Sequence, residues 1–278
     1  MSVRPSEVLG RATRYLERHG VESPEATAEV LLMHVLETDR AGLYTRERGL
    51  DAWEARMFGR AICQRCAGVP VQHLTGRQGF RRIDVEVRPG VFVPRPETEL
   101  LVEHALSALG DGTAPVIVDA GTGTGAIALS IKDERPDASV FATDLSPEAV
   151  ELARANAKRL ALEVSVLEGD LLSPLPDDLR GRVALVVSNP PYLSEAELDD
   201  LPPEVRADPP LALFGDLEPY RRLAADAPGW LREGGVLAVE IDERRGGDVV
   251  RVLDRAFADV RVEPDLAGRD RVVVARRP

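Results

Sequence analysis

Two short stretches of this 278-residue chain combine residue types that can do chemistry. The first is Asp119-Ala120-Gly121-Thr122-Gly123-Thr124-Gly125, which follows a short apolar run and opens an amphipathic one. Glycines at this spacing let the backbone turn tightly and let a ligand approach the main chain with no Cβ in the way. On spacing alone the ligand stays open, because Gly121, Gly123 and Ala126 also satisfy the G-x-G-x-x-A pattern of a dinucleotide loop. Asp144 closes the next strand-like run, where a carboxylate can accept hydrogen bonds from both hydroxyls of a ribose. The plain structural alternative for Asp144 is a cap on the helix that opens at Ser146-Pro147.

The second stretch is Ser188-Asn189-Pro190-Pro191-Tyr192, directly after the apolar run Val183–Val187. Ligands of open α/β sheets bind outside the carboxyl ends of the strands, which is where this stretch falls. A planar amide or amine suits it. The Asn189 side-chain oxygen and the Pro190 backbone carbonyl are two acceptors for N–H groups, and Tyr192 offers an aromatic face. The competing reading is a proline-rich loop that only ends a strand. Elsewhere the chemistry is sparse. Cys63 and Cys66 form a lone C-x-x-C inside the helical run Asp51–Cys66, with no second Cys/His pair for zinc, so no metal is expected. None of the four histidines sits in a catalytic pattern.

These stretches need elements to hold them. Residues 1–75 read as a small helical domain: Gly20 stops one helix, Ser23-Pro24-Glu25 starts the next with Ser23 as cap, and Asp51 caps a third with Ala55, Phe58 and Ile62 on one stripe. Residues 76–95 read as a β-hairpin connector, with Ile83, Val85 and Val87 in one strand, a turn at Pro89-Gly90, and Val91–Val93 in the other. Residues 96–278 alternate strands and helices: Val116–Val118, Ala126–Lys132, Ser139–Thr143, Pro147–Leu160, Val164–Leu167, Val183–Val187, Val236–Ile241, a helix near Val249–Phe257, and Arg271–Ala275. Such alternation predicts an α/β fold with a mostly parallel, doubly wound, Rossmann-like sheet.

Composition narrows the partners. The formal net charge is −12, and it is uneven: residues 1–76 hold ten basic and ten acidic side chains, residues 77–278 hold 25 and 37. Tracking of phosphates requires a basic excess, so direct nucleic-acid binding is not expected. No apolar run reaches the roughly 18–20 residues that span a bilayer, so no membrane is expected either, and a cytoplasmic location follows.

Asp119–Gly125 together with Asn189–Tyr192 resembles the amino-methyltransferases, in which a Gly loop binds S-adenosylmethionine (SAM) and an Asn-Pro-Pro-Tyr clamp holds the amine or amide to be methylated. Pro70–Gly76 and Val91–Glu99 narrow the resemblance to the HemK/PrmC family of peptide chain release factor glutamine methyltransferases. So do the order of parts, Glu204-Val205-Arg206, and the ending Asp265–Arg271. The resemblance implies methyl transfer from SAM to the side-chain amide of the glutamine in the Gly-Gly-Gln motif of release factors. It implies that Asp119, Gly121, Thr122, Gly123, Thr124 and Gly125 cradle the methionine end of SAM, Asp144 its ribose and Leu171 its adenine. Asn189 adjoins the cofactor and, with Pro190, Pro191 and Tyr192, holds the substrate; Asn189, Pro190 and Tyr192 carry the catalysis. The helical domain is implied to dock the release factor.

Departures from the family pattern fall at Val69, at the contracted Phe214-Gly215-Asp216, and at Asp242, and these leave room for a paralogue with another substrate. The other readings are a divergent amino-methyltransferase acting on another protein glutamine or on a nucleobase amine, an NAD-dependent oxidoreductase using only the Gly loop, and a non-catalytic SAM-fold partner protein. The acidic balance weighs against a DNA substrate.

Overall fold

The computed structural model describes residues 4–112, 114–202 and 205–278; Glu204, named above, lies outside the described residues. The chain forms two compact units, Met1–Arg77 with Leu201–Ala207, and Gln78–Asp200 with Asp208–Pro278.

The first unit is helical: α1 (Pro5–Arg18), α2 (Pro24–Val35), α3 (Arg40–Thr45), α4 (Ala52–Cys66) and α5 (Val71–Thr75). Its core gathers Leu16, Leu31, Leu32, Leu43, Phe58 and Ile62. Gly20 ends α1 with φ +69°, a conformation glycine adopts without a Cβ penalty, while Val21 N–H closes on the Leu16 carbonyl at 3.1 Å. Asp51 caps α4 reciprocally. Its carboxylate accepts from Trp53 and Glu54 N–H at 2.9 Å, and Glu54 accepts from Asp51 N–H at 2.8 Å. Two expectations fail here. Ser23 makes no side-chain cap, since its backbone is left-handed (φ 46°), and Pro24 opens α2 through its preset φ. Ala55 is exposed, and Glu54 is buried in its stead, held by Arg46 at 2.6 Å and Arg48 at 2.7 Å.

The second unit carries the sheet. Its hairpin pairs β1 (Arg77–Phe80) with β2 (Ile83–Glu86). This corrects the expected pairing of Ile83–Val87 with Val91–Val93. Arg81 turns the chain at φ +51°, and Glu99 accepts its N–H at 3.0 Å, so the reversal happens before β2. Val91 and Val93 are buried by side-chain packing, and Val93 N–H donates to the Asp208 carboxylate at 3.3 Å in place of a strand partner. Phe80, Ile83, Val85 and Val87 join the core under the large sheet, so the hairpin is a packed part of this unit.

The remaining elements run α6 (Thr98–Leu109), β3 (Val116–Ala120), α7 (Ala126–Glu134), β4 (Ser139–Asp144), α8 (Pro147–Leu160), β5 (Val164–Glu168), β6 (Val183–Ser188), α9 (Pro210–Leu213), α10 (Glu218–Trp230), β7 (Leu231–Glu240), α11 (Gly246–Leu253), β8 (Ala258–Pro264) and β9 (Asp270–Arg276). The sheet order is β5-β4-β3-β6-β7-β9-β8, parallel from β5 to β7 and antiparallel at β9 and β8. One face packs on α6, α7, α8 and the hairpin, the other on α10 and α11. Every residue of β6 is buried, as a central parallel strand covered on both faces requires. At about 1.5–3 kcal/mol per buried aliphatic side chain, this run anchors the loop that follows it.

From β3 the chain moves outward through β4 and β5, then returns to β6 on the other side of β3. The strand order reverses there, which opens a crevice at the carboxyl ends of β3 and β6. Both chemical stretches leave the sheet at this point.

Candidate active site

The Gly loop is shaped by its backbone. Gly121, Gly123 and Gly125 all have positive φ, at +79°, +56° and +86°. A Cβ built on Gly125 would lie 3.0 Å from Leu129 and 3.3 Å from Ala153, so this glycine lets α7 and α8 pack closely. At Gly121 and Gly123 a Cβ would meet nothing within 4 Å, so protein packing does not require glycine there. Backbone conformation does, and the open space beside both is where a ligand could run. Gly121 and Thr122 N–H both donate to the Thr143 carbonyl at 2.9 Å, which ties the loop to the end of β4.

Asp119 is fully buried. Its Oδ2 accepts from the Thr122 hydroxyl at 2.6 Å and from Ala128 N–H at 3.1 Å, while its Oδ1 has no partner. Burial pushes its pKa up to about 7, against the two hydrogen bonds that favour the charged form. An unpaired acceptor on a buried carboxyl is what a cationic group would satisfy. The Thr122 side chain is thus spent on Asp119 and shapes the loop from inside. Thr124 is buried with its hydroxyl oxygen unpartnered, and its carbonyl accepts from Asn156 Nδ2 at 3.0 Å.

Asp144 ends β4. One carboxylate oxygen accepts from Gly123 N–H at 2.8 Å and the other from Ser146 N–H at 2.9 Å. The α8 cap is Ser146 itself, whose hydroxyl accepts from Ala149 N–H at 3.2 Å. Asp144 therefore braces the Gly loop, with lone pairs left on both oxygens, and desolvation raises its pKa. Leu171 is half-buried with φ +47°, and its carbonyl accepts from the Thr143 hydroxyl at 2.6 Å, which sets it beside the same strand end.

The clamp begins one strand away. Register pairs Asp119 with Val187, and the Ser188 hydroxyl donates to the Ala120 carbonyl at 2.7 Å, so the two loops start side by side. Asn189 Nδ2 donates to the Thr98 hydroxyl at 3.1 Å. Among the described residues none donates a hydrogen bond to Asn189 Oδ1 or to the Pro190 carbonyl, so both acceptors stand open. Tyr192 is half-buried, and burial together with the charges of Glu240 and Asp242 keeps its hydroxyl neutral. The Phe214 segment backs the clamp. Leu193 bridges Phe214, Gly215 N–H donates to the Leu193 carbonyl at 3.1 Å, and a Cβ on Gly215 would sit 2.3 Å from the Pro191 carbonyl oxygen.

Two of the three departures from the family pattern meet in one ion-pair network. Asp216 pairs with Arg245, Asp242 with Arg244 at 2.8 Å, and Glu197 with Arg244 at 2.7 Å and Arg245 at 3.3 Å. The contracted loop and Asp242 are thus held to the segment that follows the clamp. The structure offers no account of Val69.

Four residues that build this site belong to no motif with an assigned role. Asn156 is fully buried and binds both Glu86 and Thr124. Asp208 holds Arg95 and Val93 N–H. Thr98 and Glu240 lie behind Asn189, both buried. Two of them had a sequence signal: an asparagine inside the apolar stripe of α8, and a carboxylate closing an apolar strand.

A family model described as the PrmC N-terminal domain matches residues 7–76, and one described as the methyltransferase small domain matches residues 82–201. The chain is 44% identical over 281 residues to a release factor glutamine methyltransferase from Moorella thermoacetica, covering 98% of each chain. It is 45% identical to that of Deinococcus radiodurans, again covering 98% of each. The chain belongs to the release factor glutamine methyltransferase family. The fold agrees with more distant solved structures. A methyltransferase from Pyrococcus furiosus superposes with a TM-score of 0.52 at 18% identity, covering 70% of this chain and 88% of that one. A 16S rRNA methyltransferase from T. thermophilus, solved with AdoMet and guanosine, gives 0.54 at 20%, covering 73% and 50%. The Rossmann-like α/β expectation therefore holds. Among the described residues no helix is long and apolar enough to cross a membrane, and no cluster of His, Cys, Asp or Glu could hold a metal ion.

Proposed function

We propose that this chain transfers a methyl group from SAM to the side-chain amide nitrogen of the glutamine in the Gly-Gly-Gln motif of peptide chain release factors, in the cytoplasm. The observation that carries the reading is the pair of open acceptors, Asn189 Oδ1 and the Pro190 carbonyl, at the switch point beside the Gly loop. Relatives covering almost the whole chain carry that name.

The residues present fit SAM. The unpaired Oδ1 of buried Asp119 suits its ammonium, the open space beside Gly121 and Gly123 suits its methionine end, and the spare lone pairs of Asp144 suit its ribose. Leu171 is assigned to the adenine, which it can cover but not stack upon. When bound, SAM supplies a methyl group made electrophilic by its sulfonium sulfur. An amide nitrogen is a poor nucleophile because its lone pair is delocalised, so the chain must align and desolvate it. Asn189 Oδ1 and the Pro190 carbonyl would accept its two hydrogens, and both dipoles would stabilise positive charge growing on that nitrogen. Pro191 stiffens the loop, and the neutral ring of Tyr192 covers the amide plane. The helical unit is assigned the grip on the rest of the release factor.

The test is mass spectrometry of a release factor incubated with the protein and SAM. One added methyl on the Gly-Gly-Gln glutamine, lost with Asn189→Ala, is the expected result. SAM binding with no transfer to any release factor would assign the clamp to another amide or amine.

A further inference from the structure

Asn189 can accept a substrate hydrogen only if its amide is turned the right way. The Oδ1 and Nδ2 ends are nearly isosteric, and a flipped amide would aim a donor at the substrate N–H groups. Something in the protein must set the sense. Asn189 Nδ2 donates to Thr98 Oγ1 at 3.1 Å, and Thr98 is only 3% exposed. Both side chains act on the Glu240 carboxyl as donors, favouring its charged form against burial. Glu240 itself is 2% exposed at the end of β7, with its Oε2 unpartnered. The Tyr220 hydroxyl donates to the Glu240 carbonyl at 2.8 Å and fixes its backbone.

We propose that Thr98 and Glu240 are positioning residues that lock the Asn189 amide, Nδ2 inward and Oδ1 toward the substrate amide. The proposal rests on the methyl-transfer reading of the clamp. A carboxylate can only accept, so the Thr98 hydroxyl hydrogen must point to Glu240. The lone pairs of Thr98 Oγ1 then face Asn189 and accept only from its Nδ2. The chain Asn189 to Thr98 to Glu240 has one sense. A protonated Glu240 can donate to Thr98 instead, which competes with Asn189 for the same oxygen and removes the constraint.

Charge around Glu240 makes that change reachable. Burial pushes its pKa up to about 7; Arg271 on β9 opposes the rise and Glu97 before α6 adds to it, while Tyr192 and Tyr220 face it as neutral phenols. The ionised, ordering form therefore prevails above about pH 7.

The experiment measures steady-state methylation of a release factor by the full chain, with SAM affinity from calorimetry. Glu240→Gln keeps the volume but adds a donor, and Thr98→Val keeps the shape but removes the relay. Each is expected to lower kcat by about 10–100-fold, with KM and SAM affinity changed less than about threefold. Thr98→Ser should restore most of the rate. Wild-type kcat should fall as pH drops through about 7, and that acid limb should vanish in Glu240→Gln, whose amide mimics the protonated state throughout. Wild-type kcat in Glu240→Gln or Thr98→Val, or an unchanged acid limb in Glu240→Gln, overturns the proposal. If Glu240→Gln fails to fold, the Val and Ser variants of Thr98 decide alone. A wild-type chain that binds SAM but methylates no release factor overturns the reading of the clamp, and this proposal with it.

Discussion

The loops after β3 and β6 leave neighbouring strands at one sheet edge, yet they are held by opposite means. The Gly loop is fixed by its own backbone: three positive φ angles, two N–H groups on Thr143 and one on Asp144. Its braces come from the adjacent strand and lie within about two dozen residues of it. The clamp has rigid prolines but no such local network. It is set from Thr98, some ninety residues upstream, and from Gly215 and Glu240 downstream. A loop built on backbone conformation fails when a side chain is added to it. A loop braced from afar fails when a distant partner changes. The two should therefore break separately, one in SAM affinity and the other in turnover.

The largest expected effect is at the clamp itself. Asn189→Ala removes one of two acceptors and should lower kcat by about 10²–10³-fold, with SAM affinity within about threefold by calorimetry. Strong loss of SAM binding would merge the two regions into one. Next comes Gly121→Val. A β-branched residue at φ +79° costs about 1–3 kcal/mol, so SAM affinity should fall by about tenfold or more, while substrate KM at saturating SAM stays near wild type.

Asp119 supplies a pH test confined to the Gly loop. Its pKa in the fold is about 7, and an ammonium favours the ionised carboxylate. SAM affinity should therefore weaken as pH falls through about 7, by up to about tenfold per pH unit, and Asp119→Asn should flatten that dependence. The same shift acts on the free protein with the opposite sign. The folded pKa lies above the ordinary value of 3.8, so the contribution to stability is complete below 3.8 and is lost as pH rises through about 7. Thermal melts without SAM should show that loss in the wild type and less of it in Asp119→Asn.

Two smaller effects probe the distant braces. Gly215→Ala places a Cβ 2.3 Å from the Pro191 carbonyl oxygen, and such overpacking costs about 1–3 kcal/mol. It should lower kcat/KM for the release factor by about fivefold and leave SAM affinity alone. Arg245→Ala removes partly exposed pairs with Asp216 and Glu197, worth about 1 kcal/mol or less in the presence of salt. A twofold rise in KM that disappears at high ionic strength is the expected result.

Much of this was legible in the residues. Strand and helix periodicity located β3, β4, β5, β6, α7 and α8, because buried parallel strands are continuous apolar runs and their crossover helices carry a stripe. The apolar runs Val236–Ile241 and Arg271–Ala275 also marked β7 and β9, but β8 and the first half of β7 were not legible. β8 alternates charged and apolar residues at an exposed edge, and β7 starts within Leu231-Arg232-Glu233-Gly234-Gly235, which reads as a turn. α10 escaped because prolines stand near both its ends. The hairpin was misplaced because Pro89-Gly90 is a stronger turn signal than Arg81-Arg82, and only the contact of Arg81 with Glu99 closes the true turn.

The sequence by itself determined the chemistry. Glycines that tolerate positive φ, a carboxylate at a strand end, and an amide followed by two prolines and an aromatic ring are local properties, written in consecutive residues. Which acceptors stay open was decided by tertiary structure alone. Asn189 points its Nδ2 inward because Thr98 waits there, the buried Asp119 keeps one oxygen unpaired, and the shortened Phe214–Asp216 loop rests on the clamp because Gly215 leaves room for the Pro191 carbonyl. Hydrogen-bond direction and close packing depend on groups brought together by the fold, and no spacing along the chain encodes them.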